Sequence, residues 1–280
     1  MQSLNIIGAG RVGMTLGHLF ARYEVFSILQ ILNTQKDRSL IASAFITQGE
    51  AITDFHFLKP ADVTMLCVPD DAFGSVVDSL IEVNALKRGS ILFHCSGAKS
   101  SQDLITQNPA LLNLNLEVAS VHPVRSFAAP RIAADAFKDT ICSVEGSDLA
   151  QTVLIAAFEK IGAKIIQISA EHKLLYHAGS VFASNYLVTL MDTAIAAYRA
   201  AGIDADTASQ MAHSLALGSL NNVFKIGTSA ALTGPIKRGD MQTVVKQAGQ
   251  VSAWDQDQGQ LYRAFIQPTL NLAKRSTPSK

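Results

Sequence analysis

"NIIGAGRVGMTLGHLF", residues Asn5 to Phe20, places three glycines between an apolar run and an amphipathic one. Gly8, Gly10 and Gly13 keep the G-x-G-x-x-G spacing, which is weak alone but gains force from its flanks. Leu4–Ile7 reads as a short buried strand. Arg11–Arg22 reads as a helix with Val12, Leu16, Leu19 and Phe20 on one side. A strand, a glycine turn and a helix N-terminus together make an anion site, because free N–H groups and the helix dipole converge. The backbone of Gly8, Ala9, Gly10, Arg11, Val12 and Gly13 is the expected cradle for a dinucleotide. The plain alternative is a tight turn that binds nothing.

Outward from that turn, short β-rich runs alternate with helical ones as far as Ser169. The strands are expected at Leu4–Ile7, Phe26–Leu32, Val63–Val68, Ile91–His94, Val118–His122, Ile141–Val144 and Lys164–Ile168. Helices are expected at Arg11–Arg22, Ser39–Gln48, Ala72–Val83 and Asp148–Ile161. This alternation predicts an α/β fold, a doubly wound, mostly parallel Rossmann sheet covered on both faces. Beyond Ala170 the strand signal stops. Ala170–Ala201 reads as one long helix, followed by Ala205–Ile226, Lys237–Gly249 and Asp255–Lys274. The expected organisation is therefore a dinucleotide-binding domain over 1–169 and an all-helical substrate and dimerisation domain over 170–280, ending in a disordered polar tail, "STPSK".

Composition narrows the classes. The 280 residues carry no net charge and only 16% charged side chains, which argues against nucleic acid or an anionic membrane as partner. The mean hydropathy of +0.22 is high, yet no apolar run approaches a membrane span. The excess is expected in large cores and in a homodimer interface through the C-terminal helices. The start of the chain reads as a strand rather than a signal peptide, and Cys67, Cys95 and Cys142 have no metal-like spacing. A cytoplasmic location follows as the expectation.

Nucleotide choice is read after the second strand. An NAD site usually carries Asp or Glu about 20 residues beyond the glycines, on the ribose 2′-hydroxyl. Here "ILNTQKDRS" puts Asn33 and Thr34 at that place, with Lys36 and Arg38 close behind. A 2′-phosphate is favoured by a hydroxyl and cations, so NADP is expected; Asp37 keeps NAD possible. "LCVPDDAF" ends another strand, and Val68 and Pro69 are placed beside the nucleotide, with Asp70 or Asp71 capping the next helix. In "FHCSGAKSS", Ser96 and Gly97 either approach the nicotinamide or substrate or simply make a turn. His94 reads as a packed core histidine, whereas His122 is open between a structural and a site role.

The helix "SAEHKLLYHAGSVFASNYLVTL" carries the chemistry in this reading. On a continuous helix Lys173, His177 and Ser184 fall within about 40° of one another, and Asn185 lies about 80° from His177. Hydride transfer to a carbonyl needs a proton donor and fixed hydrogen bonds. Lys173 or His177 can donate, Ser184 or Asn185 can orient, and Ser96 closes the site from the sheet side. The alternative is helix–helix hydrogen bonding at a subunit interface. In "LTGPIKRGD", Lys237 and Arg238 sit at a turn that either binds an anionic substrate or is an exposed loop.

The glycine turn, "VPDDAF", "HCSGA", "HPVRSF", "YHAGSVFASNYLVTL" and "LTGPIKRGD", in that order, resemble the Rossmann-like proteins whose C-terminal helical domain has no assigned function. That group is similar in turn to pyrroline-5-carboxylate reductase, ketopantoate reductase, prephenate dehydrogenase and the β-hydroxyacid dehydrogenases. The resemblance implies an NAD(P) Rossmann domain, a helical domain that dimerises, and a site in the cleft between them. β-Hydroxyacid dehydrogenases place a catalytic Lys and an Asn four residues apart; here Lys173 is followed by His177, and Asn185 lies two turns further on. The expected activity is an NADP-preferring oxidoreductase acting on a small, carboxylate-bearing carbonyl, imine or alcohol. The alternatives are an NADP-binding regulatory or sensor protein without turnover, and a structural dimer with a vestigial turn.

Overall fold

The computed structural model describes residues 1–275. The "STPSK" tail lies outside them. The chain divides into two compact units, Met1–Val181 and Phe182–Lys280. The sequence reading draws its line at 169/170, whereas this division keeps Lys173 and His177 in the unit of the sheet.

The first unit is built on eight strands: β1 (Ser3–Ile7), β2 (Ser27–Leu32), β3 (Glu50–Ile52), β4 (Ala61–Leu66), β5 (Leu86–His94), β6 (Glu117–Pro123), β7 (Ile141–Gly146) and β8 (Lys164–Gln167). Their spatial order is β3-β2-β1-β4-β5-β6-β7-β8. Every neighbouring pair is parallel except β6 with β7, which is antiparallel. The doubly wound, mostly parallel Rossmann sheet is therefore observed. Side chains alternate across it, as the period of a strand requires. Ile6, Ile31, Met65 and Phe93 enter one core with Leu16, Phe20 and Phe158. Their neighbours Ile7, Leu32, Leu66 and Leu92 enter the other with Phe73, Val77 and Leu104. Both faces are dry, so the strands read as unbroken apolar runs. The chain leaves β1 in one direction and returns to its other side at β4, which makes the β1/β4 carboxyl edge the switch point where such sheets hold ligands.

Several elements differ from the sequence reading. Strand β3, only three residues on the sheet edge, has no apolar run to announce it. The helix Ser101–Gln107 is short and was hidden in a polar stretch, although Ser100 and Asp103 form a capping box around its start. A one-turn-and-a-half helix, Pro130–Asp135, is likewise missing from the reading. The second helix spans Lys36–Ile46 rather than Ser39–Gln48, which puts Lys36, Asp37 and Arg38 in its first turn and not in a loop.

The expected single helix over Ala170–Ala201 is two. Lys173–Ala183 ends at Ser184, whose φ of −126° and ψ of −74° are not helical, and Asn185–Ala200 follows. The Gly-Ser-Val-Phe-Ala-Ser run has weak helix formers and nothing to bridge the break. The second unit continues with Ala205–Ile226, Met241–Trp254 and Gln256–Ala273, plus one-turn helices at Thr228–Ala231 and Pro235–Arg238. Gly239 closes the latter with a φ of +78°, and Asp240 caps the next helix by accepting from the Thr243 N–H at 3.1 Å. The helix expected from Lys237 thus begins at Met241. Among the described residues no helix is long and apolar enough to cross a membrane.

Candidate functional site

At the switch point each glycine has a separate job. Gly8 has a φ of +84°, and a Cβ on it would stand 2.6 Å from Val68 Cγ1 and 2.9 Å from the Cys67 carbonyl oxygen. The backbone there turns left-handed while pressed against the next strand, which only glycine tolerates. Gly13 is pressed from the helix side, its Cβ position 3.0 Å from the Gly8 oxygen. Nothing lies within 4 Å of a Cβ on Gly10. That space is open.

Gly10 is also the N-cap of the helix Arg11–Arg22 and offers no side chain to cap it. The first bond into the helix runs from the Met14 N–H to the Gly10 carbonyl, leaving the amides of Arg11, Val12 and Gly13 without helical partners. The adjoining pocket is lined by Gly8, Ala9, Gly10, Asn33, Thr34, Arg38, Val68 and Pro69, with Leu32 and Phe55 as apolar walls. The buried Asn33 Nδ2 has no hydrogen-bond partner there. Open space above Gly10, orphan amides and an unpartnered amide donor fit an anionic nucleotide. Lys36, Arg11 and Val12 do not line this pocket by their side chains; Val12 packs against the core.

A second group of polar side chains gathers at the ends of β5, β6 and β7. Ser96 Oγ donates to Asp70 Oδ2 at 2.8 Å and accepts from the amides of Ala98 and Lys99, so its hydroxyl is committed to the turn. His94 is wholly buried. Its Nε2 meets the Ser100 carbonyl at 3.1 Å and its Nδ1 accepts from the Ser96 N–H at 3.2 Å. Burial, then the nearby Lys173 charge, hold its pKa down at about 3. The expected core histidine is thus a strut for the loop.

Lys173 opens its helix with the side chain 1% exposed, facing Glu145, which is 4% exposed, at 3.4 Å. Its ammonium donates to Ser120 Oγ, while Glu145 accepts from the amide of Ser101 at 2.8 Å and its hydroxyl at 2.7 Å. Burial lowers the Lys173 pKa, and Glu145 opposes the shift. The lysine therefore ties its helix to the sheet.

One turn later the helix places His177 over Gly97. A Cβ on Gly97 would come closer to His177 Nδ1 than the 3.0 Å that real Cβ atoms keep, and would lie 2.8 Å from His122 Nε2. The two imidazoles meet edge to face with centroids 5.4 Å apart. His122 Nδ1 lies 3.0 Å from the Tyr176 hydroxyl. Burial, then His177 and Lys173, lower the His122 pKa to about 4. His177 Nδ1 is shut off from solvent and has no hydrogen-bond partner.

The structure thus brings His177 together with Gly97, Ser96's neighbour, and sends Lys173 into a buried pair. Ser184 and Asn185 are exposed, and the break between the two helices removes the rotational argument that aligned them with His177. Sequence reading passed over Glu145, Ser120 and Tyr176. An acid inside the strand "ICSVEG" was the available signal, since a buried carboxylate calls for a cation or several donors.

A parallel sheet with a glycine turn at its switch point defines a Rossmann-like protein. Residues 1–111 match the family model of the Rossmann-like domain, and residues 140–269 match that of DUF2520, a domain of unknown function. The chain is a Rossmann-like protein with a C-terminal DUF2520 domain. Gly97 falls in the first match, and Glu145, Lys173 and His177 in the second. No curated protein matches the chain. Among solved structures, protein TM1727 from Thermotoga maritima is 26% identical, with a TM-score of 0.73 over 97% of this chain and 98% of its own. A candidate NADP oxidoreductase from Bacteroides fragilis is 17% identical, with a TM-score of 0.76 over 96% and 98%. Pyrroline carboxylate reductase from Plasmodium falciparum, solved with NADP bound, is 14% identical, with a TM-score of 0.58 over 98% of each chain.

Proposed function

We propose that the protein is an oxidoreductase that binds NADP in preference to NAD and acts on a small, carboxylate-bearing carbonyl, imine or alcohol. The observation that carries the reading is the buried, unpartnered Nδ1 of His177, standing over Gly97 next to the glycine-turn pocket. Pro69 lines that pocket, Asp70 follows it, and the Asp70–Ser96 hydrogen bond leads directly to Gly97. The relatives with named activities support the same class: one is named for NADP oxidoreduction and one was solved with NADP.

A bound nicotinamide would supply or accept the hydride. The chain's own residues do the rest. The amides of Arg11, Val12 and Gly13 would hold a pyrophosphate, and the open space above Gly10 would admit it. Asn33, Thr34 and Arg38 line the pocket and no carboxylate does, a lining that would suit a 2′-phosphate. His177 is the group placed to hold or release the proton, at its unpartnered Nδ1. The Lys173–Glu145 pair keeps the helix in place under it.

Fluorescence titration with NADPH and NADH, followed by NADPH oxidation with a panel of 2-oxo acids and imines, tests this reading. Saturable NADPH binding and oxidation by at least one panel member is the expected result. Tight binding with no hydride loss to any of them would favour a sensor, and no binding would defeat the proposal.

A further inference from the structure

We infer that Cys67 and Cys95 form a thiol-oxidation site beside the glycine-turn pocket: a small-molecule disulfide converts the pair to an intramolecular disulfide, and the closed form holds the dinucleotide less tightly. The site rests on its own geometry; its effect on NADPH rests on the oxidoreductase reading.

β4 and β5 run parallel with Leu66 paired to His94, so Cys67 and Cys95, the residues that follow, leave the sheet side by side. Both pack against the core that holds Ile6 and Phe20, and their Sγ atoms are 3.8 Å apart. Neighbouring strands lie about 4.8 Å apart, within the roughly 4.4–6.8 Å that a disulfide spans between Cα atoms. The rung just past the strands, from the Cys95 N–H to the Leu66 carbonyl, is long at 3.3 Å. The backbone there can give as the sulfurs close to bonding distance. Both thiols are half-buried, and Cys67 lines the glycine-turn pocket, which gives a reagent its way in. Cys142 is the contrast. It is fully buried, its sulfur faces the Thr140 carbonyl at 3.9 Å, and burial pushes its thiol up to about 12.

The neighbouring Cys67 sulfur, then burial, push the Cys95 thiol up, so the pocket-lining Cys67 attacks first. Its thiolate takes one sulfur of the reagent, and the first small thiol leaves with the proton that Cys67 gave up. Cys95 Sγ then attacks Cys67 Sγ, breaking the mixed disulfide, and the second small thiol leaves with the Cys95 proton. Two protein thiols are oxidised by two electrons, and one reagent disulfide is reduced to two thiols. Cys67 is also the residue on which the glycine turn rests. Its N–H donates to the Ile7 carbonyl at 2.8 Å. Its carbonyl oxygen is 2.9 Å from the Cβ position of Gly8, and its own Cβ is 3.3 Å from that of Gly13. Drawing Cys67 toward Cys95 shifts this support, and with it the amides of Arg11, Val12 and Gly13.

The test incubates the full-length protein with hydroxyethyl disulfide and follows it by intact mass, by mapping of linked peptides, by amide hydrogen exchange and by NADPH titration. The expected product has lost two hydrogens, links Cys67 to Cys95, keeps Cys142 as a thiol, and reverts with dithiothreitol. Cys95→Ala should instead trap the mixed disulfide on Cys67. Oxidation should speed exchange at the amides of Gly8, Gly10 and Met14, which bond to the carbonyls of Leu32, Gly8 and Gly10. It should also weaken NADPH binding by about tenfold or more, the worth of one hydrogen bond to a charged group. A missing Cys67–Cys95 link, a stable mixed disulfide on the parent protein, or closure that leaves the turn's exchange or the NADPH affinity unchanged would overturn the inference. Absence of NADPH binding by the reduced protein would instead defeat the oxidoreductase reading, while the mass and the exchange still judge the site.

Discussion

Gly8 and Gly10 are two residues apart in the same turn, and the structure predicts opposite failures when they are replaced. At Gly8 a methyl group meets a φ of +84° and stands 2.9 Å from the Cys67 carbonyl oxygen, in the backbone just beyond β4. Left-handed backbone at a non-glycine residue costs ~1–3 kcal/mol. Forcing the neighbouring strand aside costs ~1–3 kcal/mol more. Gly8→Ala should therefore lose roughly 2–6 kcal/mol, which lowers the Tm by roughly 4–24 °C for a unit of this size. Gly10 has neither constraint, so Gly10→Val should change stability by less than about 0.5 kcal/mol. Its branched side chain instead fills the space facing the orphan amides, and NADPH binding should be abolished. Thermal melts of the free proteins and NADPH titration by fluorescence measure the two effects separately. If Gly10→Val melts as early as Gly8→Ala, or binds NADPH like the parent, the division of labour in this turn is mistaken.

Cofactor choice should follow the pocket lining: NADPH binds more tightly than NADH, and the gap narrows with added salt because part of it is screened charge; equal affinities in paired titrations would contradict this. Stability should fall on acidification, because His94 and His122 are held at about 3 and 4 in the fold while the unfolded chain titrates near ~6.5. Their contribution is complete above the unfolded value and is lost as pH falls toward the folded ones, roughly 4 kcal/mol between pH 7 and 5; urea melts at both pH values check it, and His122→Gln should remove about half the slope. Lys173→Met should destabilise by ~3–5 kcal/mol, because Glu145 is left charged and buried, and adding Glu145→Gln should recover part of that loss in the same urea assay. Val188, Leu215, Phe224 and Val245 of the second unit are exposed, Phe224 by 86%, and a second copy of the chain is expected to cover such residues. Sedimentation should then show a homodimer with roughly 2,000 Å² or more buried; a monomer at micromolar concentration would refute it.

The Rossmann sheet was legible because each of its long strands is buried on both faces and so appears as an apolar run. Strand β3 was not, since three edge residues supply no pattern. The helix Arg11–Arg22 was read to its exact ends because the glycines precede it and its apolar stripe is regular. The Lys173 helix was read too long for an instructive reason. A period of 3.6 residues registers apolar spacing, and that spacing continues through Ser184 although the backbone does not.

The histidine pair shows where one-dimensional reasoning stops. His177 stood out in the sequence because a polar residue on an apolar helix must be satisfied somewhere. His122 was equally visible, yet its neighbourhood depends on three long-range facts: the antiparallel turn of β7 against β6, the Lys173 anchor, and the lack of a side chain on Gly97. None of these has a local signature. The anchor bears on the analogy with a Lys-x-x-x-Asn pair, because it buries the lysine against Glu145. Here the ammonium is buried against Glu145, and the histidine one turn later packs over Gly97 with its Nδ1 unpartnered. A charged group fixed by a buried partner is poorly suited to meet a substrate, whereas a ring nitrogen with no partner is well suited to it. Under the proposed function, the lysine would position the helix and the histidine one turn later would act.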